Sequence, residues 1–510
     1  MSLVRSAMTV GSLTLVSRVA GFVRDALTAA VLGAGPAADA FFVSFKLANL
    51  LRRLFAEGAF NAAFVPLFAR TLEGEGEAEA RRFAVNAFAI MTWVLLLVVL
   101  VAELFMPWLV RLLAAGFDPA EERFALAVEL SRITFPYLML ISLTALVCGV
   151  LNALGRFAVA AFAPIVLNIV LIAALLLASL HPTGPAHALA WGVAVAGVVQ
   201  LGMVLRASAR YGYPFRPVRP KLTPRARRLF ALVLPGAVGA GVYQINLVVD
   251  TWFASHLPQG AISYLYYADR LNQLPLGAIG VALGTALLPT LSRQLGAGQK
   301  AAAFHTQNRA IEFGLLLTLP AAAAFMVLAS PIVRLLFERG AFDGGDAAAT
   351  AGALVAFSTG LPAYVLIKIL APGFFAREDT KTPVVVAAFC LLLNVVLIAF
   401  LIGPLAHVGI ALATASTNWV NALCLGVLLR RRGDFAPDAR LKARLPRLFL
   451  ATALMAGALY VLDRLTDGLP VALTLPFMIA AGGTLFFGAC QLLGATDLGE
   501  IRGQLRRRRA

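Results

Sequence analysis

Asn49 to Arg70 reads NLLRRLFAEGAFNAAFVPLFAR, and Asn272 to Arg293, 223 positions later, reads NQLPLGAIGVALGTALLPTLSR. Both segments are apolar runs that open on Asn and close on a Pro followed four residues later by Arg. Two further blocks repeat in the same order. PWLVRLLAAGFD from Pro107 resembles PIVRLLFERGAFD from Pro331, and NIVLIA from Asn168 matches NVVLIA from Asn394. Apolar sequence makes chance similarity cheap, but shared Asn, Pro, Arg and Gly positions in a preserved order indicate an internal duplication.

The surroundings of these blocks fix the class. The chain has 510 residues, 60% hydrophobic and 14% charged, whereas soluble domains carry about 45–50% apolar and about 25% charged residues. A soluble globule is excluded. A helical membrane span needs about 20 mostly apolar residues, and fourteen stretches qualify: 7–33, 37–68, 84–113, 124–152, 157–180, 187–207, 229–255, 260–291, 310–337, 347–375, 383–402, 405–429, 448–463 and 469–493. The expected fold is all-α and polytopic. The repeat offset covers six spans, an even number, so the halves share one orientation and form parallel six-helix repeats about an axis along the membrane normal. Spans 13 and 14 lie outside the duplication.

The resulting organisation is an N-lobe over 1–210, a basic linker over 211–228, a C-lobe over 229–432, the added helices over 433–494 and a basic tail over 495–510. A cleavable signal peptide is disfavoured, because Arg18, Arg24 and Asp25 follow the first apolar run with no clean cleavage signal. Lys and Arg in alternate loops number 30 on the side of both termini and 5 on the other. This places both termini in the cytoplasm. The net charge of +17 therefore reflects topology and lipid contact; no nucleic-acid partner is expected. Arg506 to Arg509 would meet anionic lipid. The four cysteines stand singly in apolar runs, so no disulfide framework is implied.

Charges inside spans carry the functional information. Arg18, Arg24, Lys46, Arg52, Arg53, Arg132, Arg270 and Lys368 fall within apolar stretches; facing lipid, each would cost about 2.5–3.5 kcal/mol near a helix centre. Some have acidic neighbours for ordinary pairing, as Glu129 with Arg132 and Arg309 with Glu312. The central set is different. Arg18, Arg24, Arg52, Arg53 and Arg270 outnumber Asp25 and Asp269. Asp39, Lys46, Arg53 and Glu57 form one polar stripe on span 2, and Ser263, Tyr266, Arg270 and Gln273 share a face of span 8, its repeat counterpart. Two such stripes suit a water-filled cavity between the halves. Excess arginine at reduced dielectric suits an anion with several oxygens, and a diphosphate matches the guanidinium fork. Asp250 on span 7 has no basic neighbour at helical spacing. With Asn394 and Thr414 it is a candidate site for a coupling cation, Na⁺ or H⁺. No metal-diphosphate DxD, zincin, serine-hydrolase or nucleotide-binding motif is present, so an enzyme is not expected.

SRVAGFVRDA at Ser17–Ala26, ADAFFVSFKLANLLRRLFAEGAFNAAFVPLF at Ala38–Phe68, YYADRLNQLPLGAIGVALGTALLP at Tyr266–Pro289 and APGFFAREDTKTP at Ala371–Pro383 resemble the MurJ (MviN) family, the lipid II flippases of the multidrug/oligosaccharidyl-lipid/polysaccharide exporter superfamily. The resemblance implies two six-helix lobes around a cationic cavity, with helices 13 and 14 forming a groove for the polyprenyl tail. It implies that Arg18, Arg24, Arg52 and Arg270 engage the diphosphate and head group, that Asp39, Lys46 and Arg53 line the same cavity, and that Asp25 and Asp269 belong to its central set. It implies transport by alternating access in the bacterial inner membrane for cell wall synthesis. The substrate would be lipid II, an undecaprenyl diphosphate-linked muropeptide. No cofactor is implied beyond a coupling cation or the membrane potential. A monomer touching membrane lipids, and peptidoglycan synthesis enzymes, is the expected assembly. Some relatives draw a sodium site from helices 7, 11 and 12, but helix 11 here offers Asn394 and no carboxylate. The alternatives are a flippase for another polyprenyl-diphosphate glycan and a cation-coupled drug exporter, which should carry an acidic cavity.

Overall fold

A computed structural model of the chain describes residues 3–52, 59–284 and 287–496. Among the described residues there are nineteen α-helices and no β-strand; Arg339 and Phe342 form an isolated antiparallel bridge. Nine continuous stretches among them are long and apolar enough to cross a membrane. The all-α polytopic reading holds.

Several spans are broken, and they break at corresponding places in the two repeats. The breaks that correspond lie in spans 3, 4, 9 and 10; of span 2 the described residues form α2 (Pro36–Arg52) and α3 (Ala59–Glu75), and of span 8 they form α11 (Ala261–Gly284) and α12 (Leu287–Gly296). Span 3 divides into α4 (Glu77–Leu104) and α5 (Met106–Leu113) at Phe105, and span 9 into α13 (Lys300–Val327) and α14 (Ala329–Phe337) at Leu328. Pro107 and Pro331 follow two and three residues later. Span 4 divides into α6 (Glu122–Thr134) and α7 (Tyr137–Ala153) beside Pro136, and span 10 into α15 (Gly344–Thr359) and α16 (Leu361–Phe375) beside Pro362. Proline lacks an amide hydrogen and clashes with the preceding turn, so it resets the helix. Spans 5, 6 and 7 are α8 (Phe157–Leu176), α9 (Pro185–Arg210) and α10 (Pro224–Ser255). Spans 11 and 12 make one run, α17 (Lys381–Arg431), interrupted at Ala406, whose φ of 46° is non-helical. Spans 13 and 14 are α18 (Ala439–Leu465) and α19 (Val471–Leu492).

The chain divides into two compact units, one of residues 1–263 with 339–343, the other of residues 264–338 with 344–510. In the first, α8 packs on α1 and α9, α2 on α6, and α10 on α3. The segment between α9 and α10 docks through Asn86, whose amide donates to Lys221 O and accepts from Lys221 N, both at 2.8 Å. Phe215 meets Phe88 at 4.9 Å. In the second unit, α13 packs on α16 and α18, and α18 on α19. Glu312 of α13 accepts from Arg309 and from Arg440 and Arg444 of α18, so the predicted Arg309–Glu312 pair is one part of a larger clamp. Trp93, Leu97, Leu100 and Leu104 are all exposed and recur every three or four residues along α4. Such a stripe is stable against acyl chains and unstable against water.

Candidate functional site

Arg24 lies near the middle of α1, and its side chain is 11% exposed. Its Nε and Nη2 donate to Asp25 Oδ1 at 3.1 and 2.7 Å, and its Nη1 donates to Asn168 Oδ1 at 3.0 Å. Asn168, on α8, is fixed in turn by donating Nδ2 to Ser17 O at 3.0 Å. Gly21 leaves the room: a Cβ there would stand 3.5 Å from the Asn168 amide. One carboxylate and one amide thus aim the guanidinium. Arg18, two turns earlier on α1, is exposed. Arg52 ends α2 and donates Nε to Asn49 Oδ1 at 3.0 Å, while Asn49 donates to Phe45 O. Lys46 donates to Thr251 Oγ1 of α10 at 2.6 Å. Arg53, like Glu57 of the same predicted stripe, lies outside the described residues.

Asp39 is 1% exposed and sits where the two repeats meet. Its Oδ2 accepts from Gly260 N at 2.7 Å; its Oδ1 accepts from Ser263 N at 3.0 Å and from Ser263 Oγ at 2.7 Å. A carboxylate on the first-turn amides of α11 satisfies donors that no helical carbonyl reaches, and it complements the helix dipole. Asp39 and Ser263 are 224 positions apart, so they are near-equivalents in the two sequence repeats. Arg123 stands 3.9 Å from Asp39 and lies over the Phe117 ring at 4.1 Å. Counted in the sequence as an outer-loop charge, Arg123 is buried instead, at 7% exposure.

The same end of this unit carries a reciprocal pair of backbone contacts. Ala341 N donates to Ala30 O at 2.8 Å; Gly116 N donates to Ser255 Oγ at 2.9 Å. Gly116 and Gly340 are repeat equivalents, and so are the ends of α1 and α10 that they touch. A Cβ on Gly340 would strike the Ala30 carbonyl, one on Gly33 the Ala341 carbonyl, and one on Gly116 the Ser255 backbone.

In the second unit, Arg270 lies over the Tyr266 ring at 4.8 Å, and Asp269 accepts from Gln273 one turn on. Of the candidate cation ligands, Asp250 is half-buried on α10 in the first unit. Asn394 is buried on α17 in the second, as is Thr414 Oγ1, which has no hydrogen-bond partner. Among the described residues no group of three or more His, Cys, Asp or Glu side chains is arranged to hold a metal ion. Glu129, expected to pair with Arg132, instead stands 3.2 Å from His187 Nε2.

Sequence reasoning missed Asn168 as a partner of Arg24, Thr251 as a partner of Lys46, and Gly260 with Ser263 as partners of Asp39. Asn168 left a trace, since an amide inside NIVLIA is costly in an apolar span unless it is hydrogen-bonded.

The family model described as "Lipid II flippase MurJ" matches residues 28–480. A "Probable lipid II flippase MurJ" of Rhizobium meliloti (strain 1021) is 46% identical, covering 99% of this chain and 97% of its own. A "Lipid II flippase MurJ" of Burkholderia cenocepacia is 37% identical over 90% of each. Among solved structures, "Lipid II flippase MurJ, inward closed conformation" superposes with a TM-score of 0.80 at 26% identity, over 95% of this chain and 98% of that one. An inward-facing multidrug resistance MATE family transporter shares the fold at a TM-score of 0.67 and 15% identity, over 84% of this chain and 98% of its own.

Proposed function

This chain belongs to the MurJ family of membrane transporters, and from that premise we propose that it carries lipid II from the inner to the outer leaflet of the bacterial cytoplasmic membrane by alternating access. Both termini lie in the cytoplasm on this reading, in accord with the 30-to-5 distribution of basic residues.

The observation that carries the proposal is Arg24. A guanidinium held by one aspartate and one asparagine within an apolar helix keeps its positive charge and a fixed direction. On this reading a diphosphate oxygen would meet it where the low dielectric strengthens the contact. Arg18, Arg52, Arg53 and Lys46 would extend this cationic surface, with Asp25 orienting Arg24; Arg270 and Asp269 of the second unit would engage the head group on the strength of the motif resemblance. The polyprenyl tail would stay in lipid along α18 and α19, whose outward faces carry exposed Phe449, Leu454, Leu473 and Phe477.

Contacts within the first unit would take part in the proposed cycle. Asp39 on Gly260 and Ser263, Ala341 on Ala30, and Gly116 on Ser255 are interactions a rocking motion can break and remake. All join segments of different repeats. Release of the head group to the outer leaflet requires them to open. The reading is tested by depleting the protein in cells and measuring which leaflet lipid II occupies; accumulation on the inner leaflet is expected, and an unchanged distribution overturns it.

A drug-exporter reading, encouraged by the MATE likeness, requires acidic residues to attract cationic ligands. The arginines here favour an anion. A coupling cation would draw on Asp250, Asn394 and Thr414, whose oxygens suit Na⁺. Transport by an Asp250→Ala variant with unchanged Na⁺ and proton dependence would remove that site.

A further inference from the structure

At the end of the first unit away from Arg156 and Arg210, an open cavity of about 690 Å³ lies between α5, α6 and the start of α9. Pro107, Phe124, Val128 and Trp191 provide apolar wall; Glu129, Arg132, His181 and His187 provide charge and hydrogen-bonding capacity. Neither the cationic surface around Arg24 nor the closing contacts around Asp39 use these residues.

Three features indicate a ligand. First, His187 is only 8% exposed, yet its Nδ1 has no hydrogen-bond partner. A buried polar atom left in that state costs free energy until something fills the space. Its ring stacks on His181, 6.3 Å between centroids and 11° between planes, so it is held in place rather than free to turn toward water. Second, Glu129 and Arg132 are both exposed at the rim of an otherwise largely apolar cavity. Opposite charges three residues apart on one helix would ordinarily pair with each other, but Glu129 is turned toward His187. Third, Trp108 and Trp191 are exposed at this level, 69% and 52%, and indoles mark the boundary between acyl chains and head groups.

We propose that this cavity binds a membrane phospholipid with a primary-amine zwitterionic head, phosphatidylethanolamine. The Arg132 guanidinium would hold the phosphate through its fork of donors. The Glu129 carboxylate would accept from the ammonium, whose three N–H donors a quaternary amine lacks. His187 would take a hydrogen bond from the head or give one to it according to its tautomer. The apolar wall with Trp191 would carry the glycerol and the start of the acyl chains. Glu103 also acts on Arg132, so carboxylates outnumber the one guanidinium here, and a head that brings its own ammonium suits that balance. A lipid with only negative charge would meet the Glu129 carboxylate, so anionic lipids are disfavoured. The site stands apart from the lipid II reading and does not depend on it.

The test is native mass spectrometry of the full-length protein, delipidated and then offered equal amounts of phosphatidylethanolamine, phosphatidylcholine and phosphatidylglycerol. One ethanolamine lipid should be retained in preference, and Arg132→Ala or Glu129→Gln should each lower that occupancy roughly tenfold. Both side chains are exposed, so the variants should fold. A second arm keeps Trp191 as the sole tryptophan and reads quenching by bromine in the acyl chains. Brominated phosphatidylethanolamine should quench more than brominated phosphatidylcholine, and Glu129→Gln should erase the difference. Preference for phosphatidylglycerol, no preference at all, or unchanged occupancy in both variants overturns the proposal.

Discussion

In the first repeat, α1 holds Arg24 between Asp25 and Asn168; in the second, its counterpart α10 has Leu247 or Val248 where that arginine would fall at an offset of 223 or 224. The helix breaks at Phe105 and Leu328, beside Pro136 and Pro362, and at the turns after α7 and α16 are nevertheless duplicated. Those turns match in detail. Gly155 (φ 73°) and Glu378 (φ 62°) occupy the left-handed position, and the next amide in each bonds back to a carbonyl five residues earlier, Arg156 to Leu151 and Asp379 to Phe374. This is the Schellman arrangement. Backbone geometry has been conserved between copies because both must close the same bundle. On the proposed function, the charges differ because one polar head group would not possess the symmetry of the repeats.

If substrate recognition resides in the asymmetric part, Arg24→Ala should have the largest effect. Lipid II transport, read as outer-leaflet accessibility, should fall by more than tenfold, while Leu247→Ala stays near wild type. The same variant strands Asp25, and breaking a buried pair costs about 3–5 kcal/mol; a thermal melt separates lost stability from lost transport. Arg24→Lys keeps charge but loses the fork, and the triple variant with Lys at 18, 24 and 270 should fail to complement depletion. Full complementation would break the bidentate reading.

The reciprocal contacts of Gly116 and Gly340 allow a sharper test of the shared part. Gly340→Ala places a Cβ against the Ala30 carbonyl in a left-handed conformation that costs an L-residue roughly 1–2 kcal/mol. It should weaken the contact of Ala341 with Ala30. Gly116→Ala should act in the same direction through Ser255. A disulfide between Ala30→Cys and Ala341→Cys should form readily in wild-type background and several-fold more slowly with Gly116→Ala; equal rates would uncouple the two contacts.

A smaller effect is expected at the matched turns. Glu378→Gly relieves the left-handed strain that the first repeat avoids with Gly155, for a gain of about 1 kcal/mol. Gly155→Ala should lose a similar amount. A chemical denaturation series reads both, and opposite signs are the required result.

The smallest effect concerns a carboxylate that the first repeat lacks. Hydrogen bonds from the Thr382 side chain and amide, then from Arg432, lower the Asp379 carboxyl from 3.8 to about 2. Because the folded value lies below the unfolded one, its stabilisation is complete above about pH 4 and disappears as pH falls through 2. Asp379→Asn should therefore lower the melting temperature on the order of 1 °C at pH 7, with the gap to wild type closing toward pH 2. A constant gap would assign the effect to hydrogen bonding alone.

Much of the fold was legible because its causes are local. Apolar run length specifies a span, proline specifies a break, and three ordered blocks reveal a duplication, none of which needs a distant partner. The Arg309–Glu312 pair was legible for the same reason. Charges were only half legible. Burying an arginine in an apolar span demands compensation, and that demand can be seen in the sequence, but its source is chosen by packing. Arg24 reaches Asn168 across 144 positions, Lys46 reaches Thr251 across 205, and Asp39 reaches Gly260 across 221. Arg123, which counting assigned to a loop, is buried because Phe117 and Asp39 cover it.

By itself, then, the sequence determined that this protein is a duplicated helical membrane transporter with cationic side chains placed where lipid would reject them, since hydropathy and periodicity act along the chain. Only the tertiary structure decided which groups hold those side chains, that Asp39 accepts from Gly260 and Ser263 at the start of α11, and that a cavity with apolar and charged walls lies beside Trp191. Such pairings depend on which helix faces meet in space, and a linear order of residues carries no such distances.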